Sequence, residues 1–460
     1  MRWLALESSC DETALAVWDT KQRRVLCESV LSQIDIHASY GGVVPGIAIR
    51  EHLKGFPVLL EELQKNFDLS TIDALCVTHG PGLIGCLGMG VAYAQSLQLL
   101  LKCPLYGVNH LHGHALSPFI EAFEGDKNFT FESVCPHLGL LVSGGNTLLF
   151  EMNVDDNIGG VAEKSSNGCS KKDESASEGF NENPCFSSEK TTETSDNNTT
   201  PSDILNKDVT LKLGVDTRIF SSSDEFSENF HKTEAVVDNA LSCNNTYKGG
   251  NFSSSGAVPP LINAGFPKNT TRPSTSMLTF RILAQTVDDA AGEALDKGGK
   301  LLGFTYPGGP LVERYAQGGD ENFVQFPRAF SQTSELKFSF SGLKTSLRYF
   351  LEKLSHETIE KQKASICASY QAAVVDALVC KVRQVLKMKT FKSLGVSGGV
   401  SNNQRLRRQL QQVADRGKIP LFMPKRKYCG DNAAMIAFAA PWVASAVKLN
   451  PNRTLDENRG

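Results

Sequence analysis

An α/β fold of two lobes around a nucleotide cleft is predicted for this 460-residue chain by three observations. Short apolar runs alternate with longer helical stretches. Glycine-rich segments stand at the ends of those runs, in Thr78-His-Gly-Pro-Gly-Leu-Ile-Gly85, Leu140-Leu-Val-Ser-Gly-Gly145, Tyr306-Pro-Gly-Gly309 and Gly395-Val-Ser-Gly-Gly-Val-Ser-Asn-Asn403. An acidic pair, Asp11-Glu12, follows the first run. Glycine pairs at strand ends let backbone N–H groups approach a phosphate or carboxylate, and a helix N-terminus behind them adds favourable polarity. One such pair marks an ordinary turn. Four of them beside an acidic pair point to a nucleotide cleft.

Taken in order, Leu4–Glu7, Ala14–Trp18 and Val25–Ser29 read as a three-strand meander, followed by a helix over Glu51–Gln64. Strands at Ala74–Val77 and Leu105–Val108 bracket a helix from about Gly90 to Leu101. The theme then repeats. Leu138–Val142 and Thr147–Glu151 read as strands, Asp289–Leu302, Gly342–Leu354 and Glu360–Met388 as helices, and Ser393–Val396 as a strand. Meander, crossover helices and strand-end glycine loops are the pattern of the actin-like, sugar kinase and heat-shock ATPase (ASKHA) fold. Ligands of open α/β sheets bind outside the carboxyl ends of the strands, where these loops fall. The expected division places 1–115 in lobe I, completed by a helix over about 432–450. Lobe II takes 116–154 and 278–431.

Residues 155–277 break the pattern. They are rich in Ser, Thr, Asn, Asp and Glu without periodicity, as in Thr191-Thr-Glu-Thr-Ser-Asp-Asn-Asn-Thr-Thr200, and predict a low-complexity disordered insertion. This segment masks the charge of the rest. The chain carries 47 Lys and Arg against 50 Asp and Glu, and 11 and 18 of these fall within 155–277, which leaves 36 against 32. That excess includes Arg405, Arg407, Arg408, Lys381, Arg383, Lys387, Lys389, Lys392 and Lys425-Arg-Lys427, which read equally as RNA-phosphate contacts or as solvated helix faces. Twelve cysteines lack any Cys-x-x-Cys pair, so reduced thiols are expected, with Cys10 and Cys429 as packing residues. No apolar run approaches the roughly 20 residues of a membrane span. The chain opens directly on a strand pattern at Trp3-Leu-Ala-Leu6, and a cytoplasmic protein is the expectation.

His110 and His114 lie four apart, and on a helix such residues share a face with Cβ atoms about 5–6 Å apart. Asn109 and Gly107 read as start signals for a helix running through Ala115–Ala122. Two imidazoles so placed can close on one metal ion, and Asp431, in a Cys-Gly-Asp-Asn turn, joins them only if the fold brings it back. His112 projects to another face and reads as a surface or packing residue. His79 reads as a turn residue, and His52 as a helix-start residue without an obvious partner. Lys344 reads either as a contact to a phosphate or, in the competing view, as a structural lysine at a helix N-terminus.

Several motifs, in order, carry a resemblance. They are Glu7-Ser-Ser-Cys-Asp-Glu-Thr13, Tyr40-Gly-Gly-Val-Val-Pro45, Val108-Asn-His110 with His114, and Leu141-Val-Ser-Gly-Gly145. Asp288-Asp-Ala-Ala-Gly-Glu-Ala-Leu-Asp-Lys297, Tyr306-Pro-Gly-Gly309, Phe338-Ser-Phe-Ser-Gly-Leu-Lys-Thr345, Gly398-Gly-Val-Ser401 with Asn403, and Gly430-Asp-Asn432 follow. Together they resemble the TsaD-type tRNA threonylcarbamoyltransferases, the glycoprotease or O-sialoglycoprotein endopeptidase-like family, from residue 1 to about 152 and from about 278 to near 445. The resemblance implies transfer of the threonylcarbamoyl group from threonylcarbamoyl-AMP to N6 of the tRNA adenosine beside the anticodon, releasing AMP and leaving t6A. It implies one divalent ion per subunit, iron in preference to zinc, on His110, His114 and Asp431. It places the intermediate on Leu141, Val142, Ser143, Gly144 and Gly145, with Asp296, Gly309 and Asn403 completing the pocket. Asp11 and Glu12 are the candidates for the base that takes the amine proton, Glu12 before Asp11. The implied partners are tRNA, with either a TsaB-like paralogue and a TsaE-like ATPase or a second copy of the chain.

Two positions depart from the family pattern, Asn146 where His is usual and Gly46 where Glu is usual. Asn146 cannot titrate, and Gly46 lacks a carboxylate for partner or tRNA contact. Three rival readings remain beside the transferase. A metalloprotease would want Glu between the helical histidines, and positions 111–113 are Leu, His and Gly. An ATP-dependent small-molecule kinase would share the fold but rely on carboxylates and magnesium. A non-catalytic subunit would have lost the metal ligands.

Overall fold

The computed structural model describes residues 1–155 and 277–456, so the expected insertion lies outside the described residues apart from its two end residues. The first sheet comprises β1 (Arg2–Glu7), β2 (Glu12–Asp19), β3 (Arg24–Ser32), β4 (Ala74–Gly80) and β5 (Leu105–Asn109), in the order β3-β2-β1-β4-β5. β1, β2 and β3 pair antiparallel, and β4 and β5 are parallel to β1. The second sheet comprises β6 (His137–Val142), β7 (Thr147–Asp155), β8 (Met277–Thr286), β9 (Lys337–Phe338), β10 (Ser393–Ser397) and β11 (Leu421–Phe422), in the order β11-β10-β6-β7-β8-β9. β6, β7 and β8 pair antiparallel, while β10 and β11 run parallel to β6. Strands β6, β7, β8, β10 and β11 thus occupy the places of β1 to β5. The duplicated ASKHA architecture is present in the strand order itself.

Twelve helices are described: α1 (Ile34–Ala38), α2 (Pro45–Asn66), α3 (Ile84–Leu101), α4 (His110–Leu116), α5 (Ile120–Gly125), α6 (Phe131–Val134), α7 (Ala291–Leu301), α8 (Gly308–Tyr315), α9 (Ser341–Leu351), α10 (His356–Met388), α11 (Gln404–Gly417) and α12 (Ala433–Val443). α2 begins before the predicted Glu51 because Pro45 stands at its first turn, where a missing N–H costs nothing. The helix expected through Ala122 ends at Leu116, and Ser117–Phe119 form a 3₁₀ turn. Pro118 cannot continue the i→i−4 ladder there. Gly107 does not start a helix. It lies within β5, where a Cβ would stand 2.1 Å from His79 Nδ1.

Helix α12 is apolar on every side, and Ala433 to Ala440 are all buried. It packs on strands of the first sheet and on α4. One core joins α12 and α4 to residues of both sheets, including Trp3, Ala5, Leu141 and Phe150. Two helices, α3 and α10, are long and apolar enough to cross a membrane by length and composition, which the sequence reading did not anticipate. The apolar window of α10 is 83% buried, whereas that of α3 is only 39% buried. α10 is therefore a core helix of the second lobe, and α3 presents an apolar face outward.

The β7–β8 hairpin, from which residues 156–276 depart, is held by charge. Glu151 faces Arg281 directly across the ladder and accepts from Arg281 Nη2 at 2.7 Å, from Asn153 at 2.9 Å and from Lys389 Nζ. Burial raises its pKa, but those hydrogen bonds outweigh burial and bring it down to about 2. A carboxylate depressed by folding stabilises above its unfolded pKa, and the contribution fades as pH falls toward 2. Glu151→Gln is expected to cost about 2 kcal/mol near neutral pH. The gap between the urea midpoints of variant and wild type should narrow below about pH 4 and close as pH falls through about 2. An equal gap at both pH values would remove the ionised Glu151 from this role.

Candidate functional site

Strand β5 ends at Asn109, whose Oδ1 accepts the Leu111 N–H at 2.8 Å and caps α4. His110 is thus the first helical residue and His114 stands one turn on, with ring centroids 4.7 Å apart. Asp431 immediately precedes Asn432, whose side chain accepts the Met435 N–H at 2.9 Å and caps α12. Gly113 lets the two helices meet. A Cβ there would stand 2.7 Å from Ile436 Cδ1 and 3.1 Å from Met435 Cγ. The chain is thereby folded back as the sequence reading required. Asp431 Oδ1 lies 3.0 Å from His114 Nε2 and 3.4 Å from His110 Nε2.

These three side chains offer donor atoms within 4.8 Å of one another, a group that could hold a metal ion. With metal–ligand bonds of about 2.1 Å, neighbouring ligands stand about 3.0 Å apart on an octahedral ion and about 3.4 Å apart on a tetrahedral one. Asp431 Oδ1 stands at 3.0 and 3.4 Å from the two imidazole nitrogens, within that range, so the chemistry and spacing of the set suit a divalent ion.

Glu7, at the end of β1, completes the arrangement and was not singled out from the sequence. It is fully buried and accepts from His110 Nδ1 at 3.2 Å, from the Ser9 N–H at 2.6 Å and from the Thr78 hydroxyl. A carboxylate on the far nitrogen of a ligating imidazole fixes its tautomer and raises its basicity. Burial opposes the charge on both partners, yet each shift runs the other way. Asp431 and Glu7 raise His110 well above its ordinary value, and His110 holds Glu7 below its own. Asp431 is likewise lowered, against burial, by His110 and His114. Without an ion, His110 is therefore an imidazolium between two carboxylates.

The acidic turn lies beside this cluster. Asp11 is buried and Glu12 half-buried. Burial first, then Asp431 and Asp11, push Glu12 up to about 10. His52 is no helix-start residue. It lies inside α2, fully buried, with Nε2 donating to the Cys10 carbonyl at 3.0 Å and Nδ1 accepting the Thr13 hydroxyl at 2.7 Å. The turn's backbone is held a second time by the Gln33 N–H, which donates to the Asp11 carbonyl at 2.9 Å.

Across the cleft, β6 ends in Leu141-Val142 and turns at Ser143-Gly144-Gly145. The turn closes through Ser143 N–H to the Asn146 carbonyl at 2.8 Å and Asn146 N–H to Ser143 Oγ at 3.0 Å. A Cβ on Gly144 or Gly145 would meet nothing within 4 Å, so the turn faces open space. Asp296 on α7 accepts the Gly309 N–H at 2.8 Å, and burial raises its pKa. Asn403 caps α11 through Oδ1 and donates to Gln371 at 2.7 Å, which commits part of its amide to the fold. Tyr306 links the two sides. After burial, the charges of Asp11, Asp296 and Glu12 all push its phenol upward, placing it among both acid groups.

A family model described as TsaD, tRNA N6-adenosine threonylcarbamoyltransferase, matches residues 24–248 and 273–438. The chain belongs to the TsaD family. A tRNA N6-adenosine threonylcarbamoyltransferase of Dichelobacter nodosus is 32% identical over 449 residues, covering 97% of this chain and 92% of that protein. One from Trichlorobacter lovleyi is 34% identical over 445 residues, covering 96% and 92%. Among solved structures, YeaZ from Pseudomonas aeruginosa matches at 17% identity and TM-score 0.23, covering 33% of this chain and 61% of that one. HypF from T. kodakarensis matches at 12% identity and TM-score 0.46, covering 96% and 47%. The fold assignment rests on strand order, not on these distant likenesses.

For a TsaD protein the basic clusters carry less than the sequence suggested. Arg405 is buried and paired with Glu321 and Asp376 at 2.8 and 2.9 Å. Buried Lys381 donates to the carbonyls of Phe330, Thr333 and Glu335. Arg407 donates to the Ser401 and Pro424 carbonyls, while Lys389, Lys425 and Lys427 pair with Glu151, Glu121 and Glu28. These groups serve the fold. His79 and His112 are structural too. His79 lies buried in β4 and accepts the Lys448 N–H, and His112 is buried rather than at the surface.

Because His110 is an imidazolium in the ion-free cluster, metal uptake has to displace its proton. Titration with Zn²⁺ near pH 7 is expected to release about one proton or more per ion, read by calorimetry in buffers of different ionisation enthalpy. Affinity should tighten as pH rises. Affinity that is flat between about pH 6 and pH 8 would remove the imidazolium assignment.

Proposed function

We propose that the cleft carries out the TsaD reaction, formation of t6A in tRNA, with a division of labour among the residues described above. His110, His114 and Asp431 hold the divalent ion, iron in preference to zinc. Two histidines and one carboxylate with open positions form the ligand set of non-haem iron sites. When bound, the ion supplies Lewis acidity toward the acyl carbonyl. Glu7 positions His110. The convergence of these groups from β1, α4 and the start of α12 is the observation that carries the reading.

The backbone N–H groups of Ser143, Gly144 and Gly145 suit the phosphate of threonylcarbamoyl-AMP, and Leu141 and Val142 support the turn. Asp296, backed by Gly309, suits a ribose hydroxyl, with Asn403 at the same pocket edge. The N6 nitrogen of the adenosine attacks the carbamoyl carbon. That C–N bond forms, the bond from carbon to the AMP phosphate oxygen breaks, and the amine proton passes to a base. The Asp11-Glu12 turn supplies the base. Glu12, raised to about 10 by burial, Asp431 and Asp11, would be freed to take that proton where a divalent ion held on Asp431 offset the neighbouring acid charge. Holding amine and acyl carbon together supplies several kcal/mol, on the order of known proximity effects.

Partner proteins follow from α3. Ile84, Leu99 and Leu100 are exposed along it, and Val58 on α2 is exposed as well. An apolar face of this kind suits a helical partner. We assign it to a TsaB-like paralogue, with a TsaE-like ATPase completing the assembly.

Two experiments test these assignments. In single-turnover transfer from threonylcarbamoyl-AMP to unmodified tRNA, Glu12→Gln is expected to lower the rate about 100-fold or more. Full turnover by this variant would dismiss Glu12 as the base, and no t6A from wild type with bacterial partners supplied would overturn the whole reading. Light scattering on the chain alone should give a monomer that joins the paralogue one to one. A stable dimer of the chain itself would place a second copy on α3 instead.

A further inference from the structure

Residues 445–456 lie beyond the segment matched by the family model, and their contacts converge on the helix that carries both histidine ligands. The segment first runs along the ends of β4 and β5. Ser445 exchanges two backbone hydrogen bonds with Gly107, at 2.8 and 2.9 Å. The Lys448 N–H donates to His79 Nδ1 at 3.2 Å, the Asn450 N–H to the His79 carbonyl at 3.0 Å, and the Gly82 N–H to the Pro451 carbonyl at 3.2 Å. Gly80 has φ +149°, and a Cβ there would stand 1.9 Å from the Asn450 carbonyl oxygen. No other residue fits Gly80 while the segment is in place.

The segment then reaches α4. Asn109 Nδ2 donates to the Thr454 carbonyl at 2.7 Å, and His112 Nε2 donates to the Leu455 carbonyl at 2.6 Å. Leu455 is fully buried, and the His112 ring stacks on Phe280 with centroids 4.5 Å apart. Asn109 and His112 flank His110 in sequence without belonging to the ligand set. Asn109 is used at both ends, its Oδ1 on the helix cap and its Nδ2 on the segment. A helix of seven residues has little stability of its own and takes its orientation from what holds it.

We propose that residues 445–455 form a strap that sets the orientation of α4, with Asn109 and His112 as positioning residues for the metal ligands His110 and His114. The strap rests on the reading of His110, His114 and Asp431 as a metal site. Asn109 and His112 act through the backbone carbonyls of Thr454 and Leu455, so their side-chain donors are what matter.

Two variants of the full chain isolate those donors. Asn109→Ser keeps a capping oxygen but has no amide to donate. His112→Phe keeps an aromatic ring against Phe280 but gives nothing to Leu455. The probe is Co²⁺, followed by visible absorption and chelator competition beside the melting temperature of the ion-free protein. Each variant is expected to bind Co²⁺ about tenfold more weakly or worse, with altered absorption bands. Ion-free melting should stay within about 2 °C of wild type. Wild-type affinity and spectrum in both variants would overturn the strap while leaving the metal site standing. Weaker binding with an unchanged spectrum and a lowered melting temperature would also overturn it, as general destabilisation. Failure of the wild type to take up Co²⁺ would overturn the metal site itself.

Discussion

Two carboxylates, Glu7 and Asp431, are drawn onto one imidazole, and the rest of the cleft is arranged around that line of charge. Each comes from a distant part of the chain, Glu7 from the end of the first strand and Asp431 from the residue before the cap of the last described helix. Buried like charges repel unless a positive charge stands between them. Here His110 supplies it, as an imidazolium or as the ligand of a cation. The apolar run from Ala433 to Ala440 drives the last helix into the core, and that burial delivers Asp431 to the histidines. Gly113 then sets how closely the two helices approach.

The opposite side of the cleft is built from backbone packed on backbone. A Cβ on Gly292 would fall 2.5 Å from the Ser143 carbonyl oxygen, and one on Gly398 2.4 Å from that of Val142. One on Gly308 would fall 2.8 Å from the Asp296 carbonyl oxygen. The start of α7 and the Gly398 turn therefore meet the β6 turn with no side chain between them, and the start of α8 packs on α7 in the same way. Amide groups there are held by main-chain contact instead of by long, mobile side chains. Preorganised N–H donors of this kind spend little entropy when an anion arrives.

Much of this was legible in the sequence, for identifiable reasons. Strand-end glycines, the i,i+4 histidines and the apolar periodicity of the long helices are local signals. β8 escaped because it follows the long low-complexity segment, and β9 and β11 because two residues carry no period. Thr13 on His52, His110 on Glu7 and Leu455 on His112 are 39 to 343 residues away in sequence, and no spacing rule reaches that far. The basic clusters misled for a related cause. Charge is visible in sequence, but the acids that neutralise Arg405, Lys389 and Lys427 are visible only once the chain has folded.

The matching strand orders make the Ser8–Asp11 turn of the first sheet and the Ser143–Asn146 turn of the second the same hairpin used twice. One copy carries Asp11 and is flanked by Glu7 and Glu12, and the other is stripped to serine, glycine and amide. Under the proposed function, an anionic substrate entering between them meets acid groups on one side and backbone N–H groups on the other. The polarity between the two turns is an asymmetry written onto a symmetric scaffold by a handful of side chains.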